Sequence, residues 1–265
     1  MLELKVQEWI QAVKYRHSTR KYNGRPVNED LINQLNDFIA DLNRDMKGAR
    51  MALVLENPDR VFKGIIGSYG KIKNHPACAA FIGDMSDPNV QEKVGYIGEC
   101  LILEATARGV STCWVGGFFK PEAVKEQVNI GSTEKVLAVT PIGYSADNTS
   151  LEENIIKGIV ASHNRKPLEK LCPGPSHADR PEWITAALEA ARLAPSAINR
   201  QPWRFTVKED SIKVSVDSTN FEFGVSKRLD CGIAMLHLEI GALSKGVAGE
   251  WEYLESPDVA VFRTR

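Results

Sequence analysis

The chain has 265 residues, 43% of them hydrophobic and 25% charged, with a formal net charge of −1. That balance fits one large or two small soluble domains, and offers neither a basic field for nucleic acid nor an acidic tail. The N-terminus has no basic-then-apolar leader, no apolar run approaches the roughly 20 residues of a membrane span, and the five cysteines are dispersed without a CxxC pair, so the expectation is a cytoplasmic protein with reduced thiols.

Val6, Trp9, Ile10 and Val13 share one face of a first helix. It runs into Tyr15-Arg16-His17-Ser18-Thr19-Arg20-Lys21-Tyr22, whose cations by themselves suit a solvated helix end. Asn28 caps a second helix whose stripe is Leu31, Leu35, Phe38, Ile39 and Leu42. A strand from Met51 to Glu56, a loop at residues 67–71 and a small-residue strand from about Ala77 to Gly83 follow. Residues 94–107 are almost continuously apolar and stop before Gly109, which predicts a buried central helix closed by a C′ glycine. Ser111 to Val115 is a strand that meets Gly116-Gly117, a turn on its own evidence. Pro121 opens a short helix, and Lys135 to Tyr144 is the next strand.

Residues 145–180 are polar and rich in Asn, Ser, Lys and Pro, marking a boundary. A helix from Pro181 to Leu193 then enters the elbow Ala194-Pro195-Ser196-Ala197-Ile198-Asn199-Arg200-Gln201-Pro202-Trp203, framed by two prolines. Strands at 204–207 and 212–216 form a hairpin, a second central helix spans Leu229 to Lys245, and the last strands run to Arg265.

The elbow matches all seven fixed positions of APSxxNxQPW, and in this it resembles the nitroreductase family of FMN-dependent oxidoreductases. RHSTRKY resembles a second hallmark of that family, an Arg-x-Ser-x-(Lys/Arg) segment after the first helix. The resemblance implies that Arg16 and Ser18, with His17 between them, take the FMN phosphate, and that Arg20 lies near the flavin ring. A phosphate dianion suits a guanidinium fork with a hydroxyl beside it. The resemblance further implies that Val115, Gly116 and Gly117 offer backbone N–H to flavin N5. It also places Pro195, Ser196, Ala197, Asn199 and Gln201 against the flavin across a dimer interface. Arg165 and Lys166 begin a basic-Pro-Leu-Glu segment whose cations grip the phosphate in the family; a solvated linker cluster explains them equally well.

An internal repeat accounts for the length. Residues 95–114 (GYIGECLILEATARGVSTCW) align without gaps to 232–251 (GIAMLHLEIGALSKGVAGEW) at an offset of 137, sharing Gly95/Gly232, Leu101/Leu238, Ala105/Ala242, Gly109/Gly246, Val110/Val247 and Trp114/Trp251. Nitroreductases are ordinarily homodimers interlocked through such helices. This chain resembles the fused, two-lobed branch of the family: an α+β nitroreductase-like fold, a tandem pseudo-dimer with central antiparallel sheets and long buried interface helices. The expected organisation is a first half at 1–150, a linker at 151–180 and a shorter second half at 181–265. The basic segment stands only in the first half and the elbow only in the second. Opposite the elbow lies Leu42 to Arg50, and opposite Gly116-Gly117 lies Tyr253-Leu254.

The implied function is an FMN-dependent NAD(P)H oxidoreductase reducing nitroaromatics, quinones or similar small acceptors by a ping-pong mechanism. Two alternatives stand beside it: an FMN-binding sensor or storage module, and a family relative with other flavin chemistry such as dehalogenation or flavin fragmentation. The five histidines are scattered without an HExxH pattern and neither Ser18 nor Ser196 has a GxSxG setting, which disfavours a metal centre or a hydrolase. No protein acid or base is assigned.

Overall fold

The computed structural model describes residues 4–62, 72–146, 164–173, 180–219 and 224–265. In chain order the elements are α1 (Val6–Tyr15), α2 (Glu29–Asp45), β1 (Ala49–Val54), α3 (Asp59–Phe62), β2 (Ala77–Asp84), α4 (Val90–Ala107), β3 (Ser111–Thr112), α5 (Pro121–Lys125) and β4 (Glu134–Gly143). They continue as α6 (Leu168–Leu171), α7 (Glu182–Arg192), a 3-10 turn (Ala197–Asn199), β5 (Trp203–Lys208), β6 (Ser211–Val216), α8 (Lys227–Leu243), β7 (Gly249–Tyr253) and β8 (Asp258–Thr264). The loop at 67–71 lies outside the described residues.

Two antiparallel sheets have the same topology. One runs β1-β2-β4-β3, the other β5-β6-β8-β7. Each has a register shift at the corresponding pair, between Phe81 and Ile82 in β2 and between Val214 and Ser215 in β6. Their burial differs for a physical reason. β2 is covered on both faces: Ala77, Ala79 and Phe81 enter the main core, while Cys78, Ala80 and Ile82 pack beneath α3 and α5 against Val61, Phe62 and Val124. A strand buried on both faces reads as a continuous small-apolar run. The second sheet has no such cover among the described residues. Its outer face carries Thr206, Lys208, Lys213 and Arg263 around a shallow groove of about 170 Å³, so β5 and β6 alternate apolar with polar.

The central helices α4 and α8 explain most of the repeated residues. A Cβ built on Gly95 would stand 2.1 Å from the Leu229 carbonyl oxygen, and one on Gly232 would stand 2.0 Å from that of Glu92. Leu229 and Glu92 are themselves 137 positions apart, so the close approach is reciprocal, as two-fold contacts are. At the other end Gly109 (φ +77°) and Gly246 (φ +75°) take the left-handed conformation. Val110 N–H then donates to Ala105 O at 2.9 Å and Val247 N–H to Ala242 O at 3.1 Å, matching Schellman closures. The repeated Ala, Gly and Val are thus one capping device used twice.

Several boundaries differ from the sequence expectation. α4 begins at Val90 rather than Val94, because Val90 is buried on Gly83 and Glu92 against Gly232, and α8 ends at Leu243, two residues early. β1 is Ala49–Val54, two residues earlier than expected. The strand expected at 111–115 pairs with β4 only at Ser111–Thr112, then touches the sheet again at a Val115–Val139 bridge. Within the polar stretch, α6 buries Leu168 and Leu171.

Candidate cofactor site

The basic segment leaves α1 at Arg16 and is laid beside β3. Ser18 forms a parallel bridge with Thr112, and Thr19 N–H donates to Thr112 O at 2.9 Å. Arg16 is only 8% exposed, yet its Nε and Nη1 have no hydrogen-bond partner, and the Thr112 hydroxyl beside it has none either. A buried guanidinium without an anion is costly, so these donors mark a place for one. Ser18, Arg20 and Arg16 also converge on Cys113: burial pushes its thiol pKa up, and Arg20, the Ser18 hydroxyl and Arg16 pull it partly back. His17 Nδ1 lies 3.3 Å from Tyr15 O and its Nε2 lies 3.5 Å from the Thr19 hydroxyl. A groove of about 400 Å³ opens here between Tyr15, Arg16 and His17 and residues 106–112; the elbow does not line it.

Arg165 lies near enough to Arg16 to feel its charge. Its guanidinium donates to Leu193 O at 3.1 Å and to Asn199 Oδ1. Burial pushes its pKa down to about 10, Arg16 and Arg192 push the same way, and Glu99 opposes them. It stays charged at neutral pH, so Arg16 and Arg165 form a like-charged pair that an anion would relieve. Lys166 is placed differently. Its Nζ donates to the carbonyls of Arg200 (2.7 Å) and Gln201 (3.0 Å), making it a strut under the elbow.

The elbow is held in an uncommon backbone shape. Pro195 is buried and ends the helical course. Ile198, Asn199 and Gln201 then have φ of 49°, 57° and 46°, and a left-handed β-branched residue costs on the order of 1–3 kcal/mol. Polar locks hold the shape. The Ser196 hydroxyl accepts from Gln201 N–H at 2.9 Å, and Gln201 Oε1 accepts from Lys166 N–H at 2.7 Å. Gln201 Nε2 reaches Asn199 O at 3.1 Å, and Asn199 Nδ2 donates to Asn164 O at 3.0 Å. The Gln201 amide thus ties the elbow to residues 164–166.

A further lock ties the elbow to both halves. Asp230, 1% exposed in the first turn of α8, accepts from Ala197 N–H at 3.0 Å and from Arg200 Nε at 2.7 Å. Arg200 Nη2 donates to Val225 O at 2.8 Å, and the Val225 side chain lies against Gly116, where a Cβ would approach it to 2.7 Å. Gly117 has nothing within 4 Å of a Cβ. Gly116 thus packs on Val225, which Arg200 of the elbow holds.

Residues 8–242, nearly the whole chain, match the family described as "Putative TM nitroreductase". The chain belongs to this nitroreductase family. Among solved structures, a protein of the same description, tm1586 from Thermotoga maritima MSB8, has 18% identity and a TM-score of 0.65, the alignment covering 96% of this chain and 93% of that one. A nitroreductase family protein (cd3355) from Clostridium difficile 630 has 18% identity and a TM-score of 0.46, covering 63% of this chain and 96% of its own. An FMN-dependent nitroreductase from Clostridium difficile R20291 has 21% identity and a TM-score of 0.43, covering 53% and 90%. At 18% identity the likeness to the Thermotoga protein is one of fold. None of the curated proteins matches the chain.

In this nitroreductase-family chain the structure adds Arg200, Val225 and Asp230 to the residues the sequence singles out. Asp230 had one visible signal, an acid in the first turn of a buried helix, which is ordinary. Arg200 stands at a variable position of the elbow motif.

Proposed function

We propose that the chain binds one FMN between its halves and uses it to carry reducing equivalents from NAD(P)H to small acceptors such as nitroaromatics or quinones. The observation that carries the reading is the buried Arg16 guanidinium, whose Nε and Nη1 have no partner, with Arg165 near enough for the two like charges to repel. An FMN phosphate fits that demand in charge and hydrogen-bond type. Arg16, Ser18 and Arg165 would hold it, and Arg20 would stabilise negative charge at the ring's pyrimidine edge. Gly116 and Gly117 would present backbone N–H to the reacting edge, with the elbow closing the other side. When bound, FMN supplies the hydride-accepting and hydride-donating chemistry; the chain binds, orients and shields it.

The tandem pseudo-dimer, with halves at 1–150 and 181–265 and a linker at 151–180, belongs to this reading. The shared sheet topology and the reciprocal Gly95/Gly232 contact support it. One flavin per chain follows from the mirror position. There, Lys93 Nζ lies 5.4 Å over the Tyr253 ring, and Arg228 donates to Leu254 O at 2.9 Å while bound to the Glu92 carboxylate. Side chains pack at this position, whereas Gly117 has open space beside it.

Flavin-saturated protein should show visible flavin bands that bleach anaerobically with NADH or NADPH and return with a quinone or nitroaromatic. Steady-state rates should give parallel lines. Flavin bands that neither nicotinamide bleaches would reduce the function to binding, and failure to bind flavin would end the reading. Arg16→Ala should weaken FMN binding by about 1.5–3 kcal/mol, the worth of a charge-assisted hydrogen bond. It should leave the FMN-free protein as stable as wild type or more so, since a partnerless buried charge is gone. Fluorescence titration and thermal unfolding check both; unchanged FMN affinity removes Arg16 from the site.

A further inference from the structure

Trp114 stands two residues before Gly116, and its indole is fixed on three sides. Its Nε1–H donates to Glu99 Oε2 at 2.6 Å. Its ring lies on Gly98, where a Cβ would come within 2.3 Å of Cη2. Phe81 packs beside it with ring centroids 4.5 Å apart. Glu99 is fully buried in α4, and its other oxygen lies 2.8 Å from Nε2 of the equally buried His237 in α8. His237 Nδ1 lies 3.1 Å from Ala190 O. A carbonyl only accepts, so Nδ1 carries hydrogen, and the Glu99–His237 contact then shares one proton. The pair is neutral as a unit, which is what lets it sit at the centre of the molecule. Through it, the second half grips Trp114 and the Val115-Gly116-Gly117 segment that follows.

The other half holds a brace of the same build. Trp251, the repeat counterpart of Trp114, donates to Glu239 Oε2 at 2.7 Å, and Tyr96 of the first half donates to the same oxygen at 2.8 Å. Glu239 stands one helical turn beyond the counterpart of Glu99. That brace leads to Tyr253 and Leu254, where side chains close the space.

We infer that Glu99 is a positioning residue for the flavin's reacting edge, setting the Gly116-Gly117 backbone through Trp114, while Glu239 braces the fold with no cofactor to position. This rests on the FMN reading. The two carboxylates share a mechanical role and differ in what lies downstream, so one serves as the control for the other.

The test uses the full chain loaded with FMN, comparing Glu99→Leu, Glu99→Gln and Glu239→Leu by anaerobic single-turnover reduction with NADPH and by thermal unfolding. Glu99→Leu should slow reduction at saturating NADPH by about tenfold to a hundredfold, the scale of a misplaced reacting group, with a shifted visible flavin spectrum. Glu239→Leu should lose comparable Tm while its rate stays within about twofold. Glu99→Gln, whose amide can accept from Trp114 and donate to neutral His237, should restore most of the rate. Equal rates in the two leucine variants would overturn the inference, whether both are slow or both are normal. Should Glu99→Leu fail to fold, Trp114→Phe removes the N–H together with the ring atoms that lie on Gly98, and carries the same expectation against Trp251→Phe, which makes the same loss of volume. A wild-type protein without bleachable flavin overturns the functional reading first, before any variant is compared, and this inference with it.

Discussion

Gly232→Ala should lower the stability of the chain by about 3 kcal/mol, the upper range for overpacking a tight core. The new Cβ would stand 2.0 Å from the Glu92 carbonyl oxygen and 2.7 Å from the Glu92 Cα. Those atoms are backbone of α4 and cannot swing aside, so the two central helices must separate and lose packing along their length. Alanine's better helix propensity returns at most about 1 kcal/mol. Gly95→Ala should cost a similar amount, since its Cβ meets the Leu229 carbonyl oxygen at 2.1 Å. The double variant should cost less than the sum, because the first substitution opens the gap that the second needs. Gly117→Ala, with nothing within 4 Å, should stay within about 0.5 kcal/mol of wild type. Denaturant midpoints at unchanged slope measure all four. A wild-type midpoint for Gly232→Ala would contradict the close crossing.

Asp230→Ala should cost about 3–5 kcal/mol, the scale of breaking a buried pair by removing one partner. It leaves the Arg200 guanidinium without its carboxylate and the Ala197 N–H without an acceptor. The strain in the elbow decides where the damage goes. Ile198, Asn199 and Gln201 keep left-handed φ only because their surroundings impose it, so the loop should relax before the sheets do. FMN affinity should therefore fall along with stability, although Asp230 is assigned no contact with the cofactor. Asp230→Asn keeps an acceptor for Ala197 and should fall between. Amide exchange at Ala197, slow in wild type and fast in Asp230→Ala, locates the effect; protection retained there would show that Asp230 does not hold the elbow.

The two central helices were legible because their apolar runs are long and end in Gly-Val, and the structure shows that pair closing both helices. The repeat pointed to Gly95 and Gly232, but the reason for them takes two distant segments meeting at a crossing that no local pattern contains. Arg16 stood out by its motif; its burial without a partner could not be read from the sequence, where a cation at a helix end looks solvated. The family resemblance places Asn199 and Gln201 against a flavin and says nothing of what else they bind. Their amides bind residues 164–166, a short reach in space across more than thirty residues of chain. α3 and α6, four residues each, are too short to show a helical period. β1 begins with Ala49-Arg50, which carry no strand signal, and the Arg50 side chain is drawn in by Glu134 across the sheet at 2.6 Å.

The most direct test of the account counts flavin. On the proposed reading the basic segment and the elbow form one site together, and the mirror position, where Lys93 lies over the Tyr253 ring and Arg228 binds the Leu254 carbonyl, forms none. Native mass spectrometry of the flavin-saturated protein, with the released FMN quantified against protein, should give one FMN on each 29.3 kDa chain. A variant mixture checks that the site is internal. Arg16→Ala chains combined with Asp230→Ala chains should regain no tight site, because each chain must supply both sides itself. Two FMN per chain, or tight binding restored in that mixture, would contradict a single site built within one chain.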